Sequence, residues 1–370
     1  MDKKKYYRCT TCLNMSNRPR IEFDEKGRCN ACQWAEEKKT LDWGKRQQEL
    51  VEMLEKHRKT DGYDCLIPVS GGKDGSYVVY KLKKEYGMNP LCFSINPPLQ
   101  FPEGKANLEN FTKWGVDTLV LTPNPKIMQK ICRIGLFEAG QSLLGWQICL
   151  QTAIARIAVA YNIPIIFYGE DGEVEYGGTS KNKNTMAYDI TYAKDIYLSG
   201  NYRFLEALDI PKKELYWWTY PSDEELKRVG VKATHWSYFE NWDSNVHAEL
   251  ARKEFGLIPR ESNSKATYDT FSQNDTCLYD LHTYLMFLKF GFGRCTQDVG
   301  IDIRRGAMTR EEGFKLVAQY DDCYPEAYID TYLDYYQITR EELDAIFDKW
   351  ANKDLLHKVN GRWVKKEEIY

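Results

Sequence analysis

Short apolar runs alternate with longer amphipathic ones from about residue 64 onward. "DCLIPVS" (64–70), "PLCFSIN" (90–96), "VDTLVLT" (116–122) and "IPIIFYGE" (163–170) each read as a buried strand bounded by turn residues. The stretches between them carry helical spacing. Ser76–Tyr86 closes at Gly87, Ala106–Trp114 closes at Gly115, and Ile127–Ile134 and Gln147–Tyr161 follow before the fourth strand. Strands separated by helices predict an α/β fold, a doubly wound parallel sheet with helices on both faces. Ligands of such sheets bind at the carboxyl ends of the strands.

The flanks have a different texture. Residues 1–40 are turn-rich and poor in large aliphatics, so they need a staple to fold. Residues 41–62 read as a linker helix, with Trp43, Leu50, Val51 and Leu54 as its apolar positions. The α/β unit is expected over 63–305. Within it, 172–275 has no clean period and reads as insertions over the sheet, followed by an apolar helix, Leu278–Phe290. Residues 306–370 are expected to be helical. "TREEG" from Thr309 and "TREEL" from Thr339 both match the capping pattern in which threonine holds the first turn and glutamate reaches back.

Charge and cysteines narrow the class. A net charge of −3 does not suggest a nucleic-acid coat, so no nucleic-acid partner is expected. No apolar run approaches the ~20 residues of a membrane span. "MDKKKYYRC" is not followed by an apolar segment, so no secretory leader is expected and the chain is read as cytoplasmic. Of eleven cysteines, Cys9-x2-Cys12 and Cys29-x2-Cys32 have the spacing of a structural tetrahedral zinc site, and the other seven read as packed small hydrophobes.

The chemistry-bearing turn is "SGGKDGS", Ser70 to Ser76, between the first strand and its helix. Gly71, Gly72 and Gly75 let backbone N–H groups point inward, and the helix start favours an anion. Lys73 precedes Asp74, and no Gly-Lys-Ser/Thr follows, so this is not the Walker A order. Asp74 beside a phosphate calls for Mg²⁺ between them.

"SGGKDGS" resembles the pyrophosphate loop, S-G-G-x-D-S, of N-type ATP pyrophosphatases (PP-loop enzymes), with Gly75 inserted before Ser76. That group adenylylates a carbonyl-type oxygen, releases pyrophosphate, and lets a nucleophile displace AMP. "GEDGEVEYGG", Gly169 to Gly178, is similar to the acidic segment of asparagine synthetases and matches Glu170 and Glu173 to its acidic positions. With the cysteine knuckle and "FLKFGFGRCTQDVGIDIRRGAMTREEG", these pieces resemble, in order, the N-acetyl sugar amidotransferases of surface-polysaccharide biosynthesis. The resemblance implies ATP-dependent conversion of an acetamido to an acetamidino group on a nucleotide-linked N-acetyl sugar, with ATP and Mg²⁺ as cofactors and Zn²⁺ as a structural metal.

Roles follow from the resemblance. Ser70, Gly71, Gly72, Lys73, Asp74, Gly75 and Ser76 are expected to hold ATP, and Arg294, by its own place in "FGFGRCTQD", to bind an ATP phosphate or the substrate's diphosphate or carboxylate. Asp74 and Glu173 are expected to hold magnesium, Glu170 to act as the base for incoming ammonia, and Lys265 to be the pyrophosphate lysine. Lys289, Arg304 and Arg305 are further basic candidates, and Asp298 is a ligand or an arginine partner. Met1 is followed by aspartate and no cysteine sits in a nucleophile-elbow context. A separate glutaminase, resembling the histidine-pathway subunit and often accompanied by a cyclase-like companion, is therefore implied. The competing readings are a tRNA-thiolating PP-loop enzyme and a non-catalytic nucleotide-binding scaffold.

Overall fold

The computed structural model describes residues 6–198, 205, 208–260 and 266–366. Lys265, the expected pyrophosphate lysine, lies outside the described residues. The chain opens with the cysteine knuckle, whose second pair leads into helix α1 (Asn30–Glu37), followed by α2 (Trp43–His57), capped by Asp42 accepting from Lys45 N. Then come β1 (Cys65–Pro68), α3 (Lys73–Tyr80), β2 (Pro90–Ile95), α4 (Pro102–Trp114), β3 (Thr118–Leu121), α5 (Pro125–Ala139), α6 (Leu144–Ala160) and β4 (Ile165–Tyr168). The insertion carries α7 (Gly172–Tyr176), the single turn α8 (Ile190–Tyr192), α9 (Asp223–Val229), β5 (Lys232–His235) and α10 (Ser244–Leu250). The remainder is α11 (Leu278–Phe290), α12 (Arg294–Arg304), α13 (Arg310–Tyr320), α14 (Ile329–Tyr336) and α15 (Arg340–Trp350), closed by a hairpin of β6 (Leu356–Val359) and β7 (Arg362–Lys365).

The five-stranded sheet runs β3-β2-β1-β4-β5, and every pair in it is parallel. The chain winds outward from β1 through β2 to β3, then returns to place β4 on the other side of β1. That reversal opens a crevice at the carboxyl ends of β1 and β4, where such sheets bind ligands. The two-residue strand period sorts side chains onto opposite faces. Leu66, Leu91, Phe93, Ile95 and Ile166 join α5, α6 and α11 in one core. Cys65, Ile67, Cys92, Ile165 and Phe167 join α2, α3 and α4 in the other. Phe111 and Phe167 are fully buried, each contributing on the order of 2–3 kcal/mol over an exposed ring.

Four of the five strands and the helices between them lie where the hydrophobic pattern puts them. The architecture is the expected parallel α/β fold with a helical C-terminal region and an N-terminal four-cysteine cluster able to hold a metal ion. Differences arise where local signals mislead. The helix after β1 begins at Lys73 rather than Ser76, because Gly72 takes the extended cap position and Gly75 is helical. It continues past Tyr80 through a wider turn to Glu85. β5 sits in the stretch with no period. The C-terminal region also ends in a hairpin, whose turn is Asn360-Gly361 with both residues at positive φ (49° and 79°). Both C-terminal capping boxes, at Thr309 and Thr339, are formed. Six of the seven cysteines outside the knuckle are buried.

Candidate active site

The loop after β1 and the acidic segment after β4 meet at the crevice. Gly71 has φ +92°, and a Cβ there would stand 2.7 Å from Leu108 N, so α4 packs directly on the loop. A Cβ on Gly75 would stand 3.1 Å from Val69 Cγ1, so this glycine lets the first turn of α3 settle on the strand end. Ser76 is fully buried and its hydroxyl donates to Gly72 O at 3.0 Å. Its side chain therefore serves the helix, while Ser70 stays exposed at the loop's entrance.

Lys73 is buried, and its Nζ donates to both oxygens of Asp74 at 2.8 and 2.7 Å. Burial works against the ammonium, but Asp74 and Glu170 outweigh it and hold the pKa above the usual lysine value. Glu170 accepts from the Tyr176 hydroxyl at 2.6 Å, and its other oxygen is buried without a partner. Burial first, then the charge of Asp74, pushes its carboxyl up to about 7, with Lys73 and Arg294 pulling the other way. Arg294, at the start of α12, is braced by Asp298 at 2.8 Å, and Thr267 donates to the same carboxylate at 2.6 Å. Asp298 is thus an arginine partner. Lys73, Tyr176, Arg294 and Phe271 line one cavity.

Glu173 faces the knuckle instead. Arg20 donates to its two oxygens at 2.6 and 2.9 Å, and Thr179 N donates to it at 2.8 Å. Lys289 donates to Gly140 O at 2.9 Å, well engaged elsewhere. Arg304 donates to Glu175 O at 2.8 Å; burial works against its charge, but the knuckle sulfurs and Glu175 outweigh it and hold the pKa above the usual arginine value. Arg305 pairs with Asp302 and Asp243.

Two further residues belong here. Burial pushes the Asp275 carboxyl up to about 7, against its hydrogen bond with Ser70. The segment that carries it packs on α4, since a Cβ on Gly104 would stand 3.0 Å from Asp275 Cα. His247 is buried against Tyr77, ring centroids 3.8 Å apart, with Nδ1 lacking a partner. Burial lowers its pKa to about 4. Neither residue sits in a spacing motif, so the chain order held no signal for them.

The knuckle cysteines fit a single ion. Cys9 and Cys32 sulfurs are 3.7 Å apart, Cys12 and Cys29 sulfurs 3.6 Å, and all four lie within 4.8 Å of one another. Tetrahedral zinc with Zn–S of ~2.3 Å sets sulfurs ~3.8 Å apart. Backbone N–H groups of Thr11, Asn14 and Cys29 point at these sulfurs, as thiolates require. The knuckle docks on the acidic segment: Asn14 Nδ2 donates to Tyr176 O at 3.0 Å, Asn30 Nδ2 donates to Gly178 O, and Trp34 and Lys38 hold the Glu175 carboxylate at 3.0 and 2.9 Å. The cysteine cluster thus braces the loop that carries Glu170.

Comparisons with known proteins extend over parts of the chain. Residues 265–370 match the family described as LPS biosynthesis protein WbpG-like, C-terminal domain. Uncharacterized protein MJ1599 of Methanocaldococcus jannaschii is 30% identical over 117 residues, which is 31% of this chain and 42% of that protein. The chain therefore spans less than half the length of that relative. Among solved structures, U34-tRNA thiolase NcsA of Methanococcus maripaludis with its [4Fe-4S] cluster is similar over 81% of this chain and 86% of its own, at 12% identity and TM-score 0.31. NMN synthetase of Francisella tularensis is similar over 60% of this chain and 99% of its own, at 14% identity and TM-score 0.25.

Proposed function

We propose that the chain cleaves ATP between the α and β phosphates and transfers AMP to an acceptor oxygen. The observation that supports this most is the convergence of Lys73, Asp74, Glu170 and Arg294 on the glycine loop at the β1–β4 crevice. Loop amides and the start of α3 would cradle the pyrophosphate. Lys73 and Arg294 would offset its charge as it leaves. Magnesium, when bound, would neutralise phosphate oxygens, and Asp74 is the partly exposed carboxylate suited to hold it. Glu173, tied to Arg20, holds the acidic loop to the knuckle in this proposal.

For the acceptor, the motif resemblance points to a nucleotide-linked N-acetyl sugar, and the description of the C-terminal family names LPS biosynthesis. Its acetamido oxygen attacks the α-phosphorus and pyrophosphate leaves. Ammonia, delivered by a separate glutaminase, then adds to the imidate carbon and AMP departs. The nitrogen's surplus proton passes to Glu170, whose raised pKa suits a base near neutrality. A tRNA-thiolating reading shares the first half of this chemistry. It is favoured by Lys38, Lys39, Arg304 and Arg305, which line a cavity next to the site and suit a polyanion.

The test is to supply Mg-ATP and ammonium with a panel of UDP- and CMP-linked N-acetyl sugars, and separately a sulfide donor with tRNA. AMP and pyrophosphate, with exchange of oxygen for NH in one sugar, support the amidotransferase. Thiolated tRNA moves the acceptor to RNA. No pyrophosphate from any mixture overturns the ATP reading and leaves a nucleotide-binding scaffold.

A further inference from the structure

Beside the nucleotide crevice lies a second cavity of about 370 Å³, lined by Lys38, Lys39, Trp43, Trp242, Arg304 and Arg305, among others. That volume is within the range of small-molecule sites. Four cations face it against two carboxylates, Glu175 and Asp243. Lys38, Lys39 and Arg305 are paired, Lys39 through an exposed bridge to Glu36 outside the cavity lining, yet the lining retains buried donors without acceptors: Arg304 Nη1, and Nε1 of Trp242, a residue only 8% exposed. Surplus positive charge with unmet N–H groups calls for an anionic ligand rich in acceptor oxygens. Trp43, the more accessible of the two indoles, offers a face for a ring.

The cavity is next to the chemistry. A Cβ on Gly169 would stand 2.9 Å from Asp74 Cβ and 2.9 Å from the Trp242 ring, so Asp74 and Trp242 pack against the same glycine. Ile301 lines both cavities. Helix α12 carries Arg294 at the nucleotide end and Arg304 at the other, a rise of ~15 Å at ~1.5 Å per residue.

We propose that this cavity is the acceptor subsite and takes the diphosphate of a nucleoside diphosphate sugar, with Lys39 and Arg305 on the phosphates and Trp43 against a ring. The inference rests on the amidotransferase reading of the acceptor. A ligand laid along α12 with its diphosphate at Arg305 points its sugar toward Lys73 and Glu170.

The experiment titrates UDP, with inorganic pyrophosphate and a tRNA transcript as parallel probes, into the full-length chain saturated with α,β-methylene ATP, by calorimetry. UDP is expected to bind in a space the ATP analogue leaves free. The Lys39→Ala/Arg305→Ala double variant should weaken UDP by about tenfold or more, as loss of charged hydrogen bonds does, with the melting temperature and analogue affinity retained. Trp43→Ala should weaken UDP and leave pyrophosphate unchanged. Absence of UDP binding with the analogue bound, equal affinity in the double variant, or tRNA binding through these residues in place of UDP would overturn the proposal. Failure of the analogue itself to bind counts against the ATP reading, and UDP titrated alone then still decides this one.

Discussion

Alanine at Gly71 is expected to disable the phosphate loop, and alanine at Gly75, four residues on, is not. Gly71 has φ +92°, and its added Cβ would meet Leu108 N at 2.7 Å, Asn107 C at 2.8 Å and Asn107 Cβ at 2.9 Å. The first two of these are backbone atoms of α4, which cannot swing aside. Left-handed backbone costs an L-residue ~1–2 kcal/mol, and overpacking against fixed atoms costs ~1–3 kcal/mol, so about 2–5 kcal/mol is lost together. That is a large part of a typical folding free energy of ~5–15 kcal/mol. Gly75 is different. It is helical with ordinary φ, and its Cβ would meet a valine methyl at 3.1 Å and Val69 Cα at 3.3 Å. Alanine gains ~1 kcal/mol over glycine inside a helix, which offsets the squeeze, so the net change should stay within about 1 kcal/mol. Urea unfolding followed by circular dichroism reads both, and titration with an ATP analogue reads the loop. A Gly71→Ala chain with the parental midpoint and affinity, or a Gly75→Ala chain as damaged as Gly71→Ala, would refute the reasoning.

Three further outcomes are expected. Asp275 carries a carboxyl raised to about 7 by burial. The folded chain therefore holds its proton longer than the unfolded one, and stability falls as pH rises from the ordinary aspartate range through 7. Asp275→Asn should flatten that slope in melts at a series of pH values, and an unchanged slope would contradict it. Arg260 and Asp280 form a buried pair at 2.6 Å, exposed 4% and 0%. Asp280→Ala strands the guanidinium and should cost ~3–5 kcal/mol by denaturation, and a loss below 1 kcal/mol, the scale of a surface pair, would show that water reaches the site. Purified protein should carry zinc. Its removal by a chelator should raise hydrogen exchange across residues 172–180 while β1 to β4 keep their protection, and uniform exchange would contradict the bracing role of the knuckle.

The α/β core was legible because burial on both faces of a sheet writes itself as short apolar runs, as in "LCFSI" and "IIFY". β5 was not, since "KATH" is four residues at a sheet edge with one exposed lysine, too short to show a period. The start of α3 was displaced because Gly75 looks like a breaker, and only its contact with Val69 explains why a helix contains it. Asn360-Gly361 was a readable hairpin signal, masked by the strong capping boxes before it. In the site, Lys73, Asp74, Glu170 and Arg294 came from local motifs, and the fold brings them together. Glu173 shares the motif with Glu170, but three residues along the chain it faces Arg20. Asp275 and Trp242 reach the site through long-range packing, which chain order does not encode.

The central claim is α–β cleavage of ATP at the glycine loop. The most direct measurement is exchange of labelled pyrophosphate into ATP by the full-length chain with magnesium and the nucleotide-linked sugar panel, in the parent and in Asp74→Asn and Lys73→Ala. The expected result is sugar-dependent exchange without ammonia, release of AMP once ammonium is added, and loss of both in the two variants. Release of ADP and phosphate, or exchange that survives both substitutions, would contradict it.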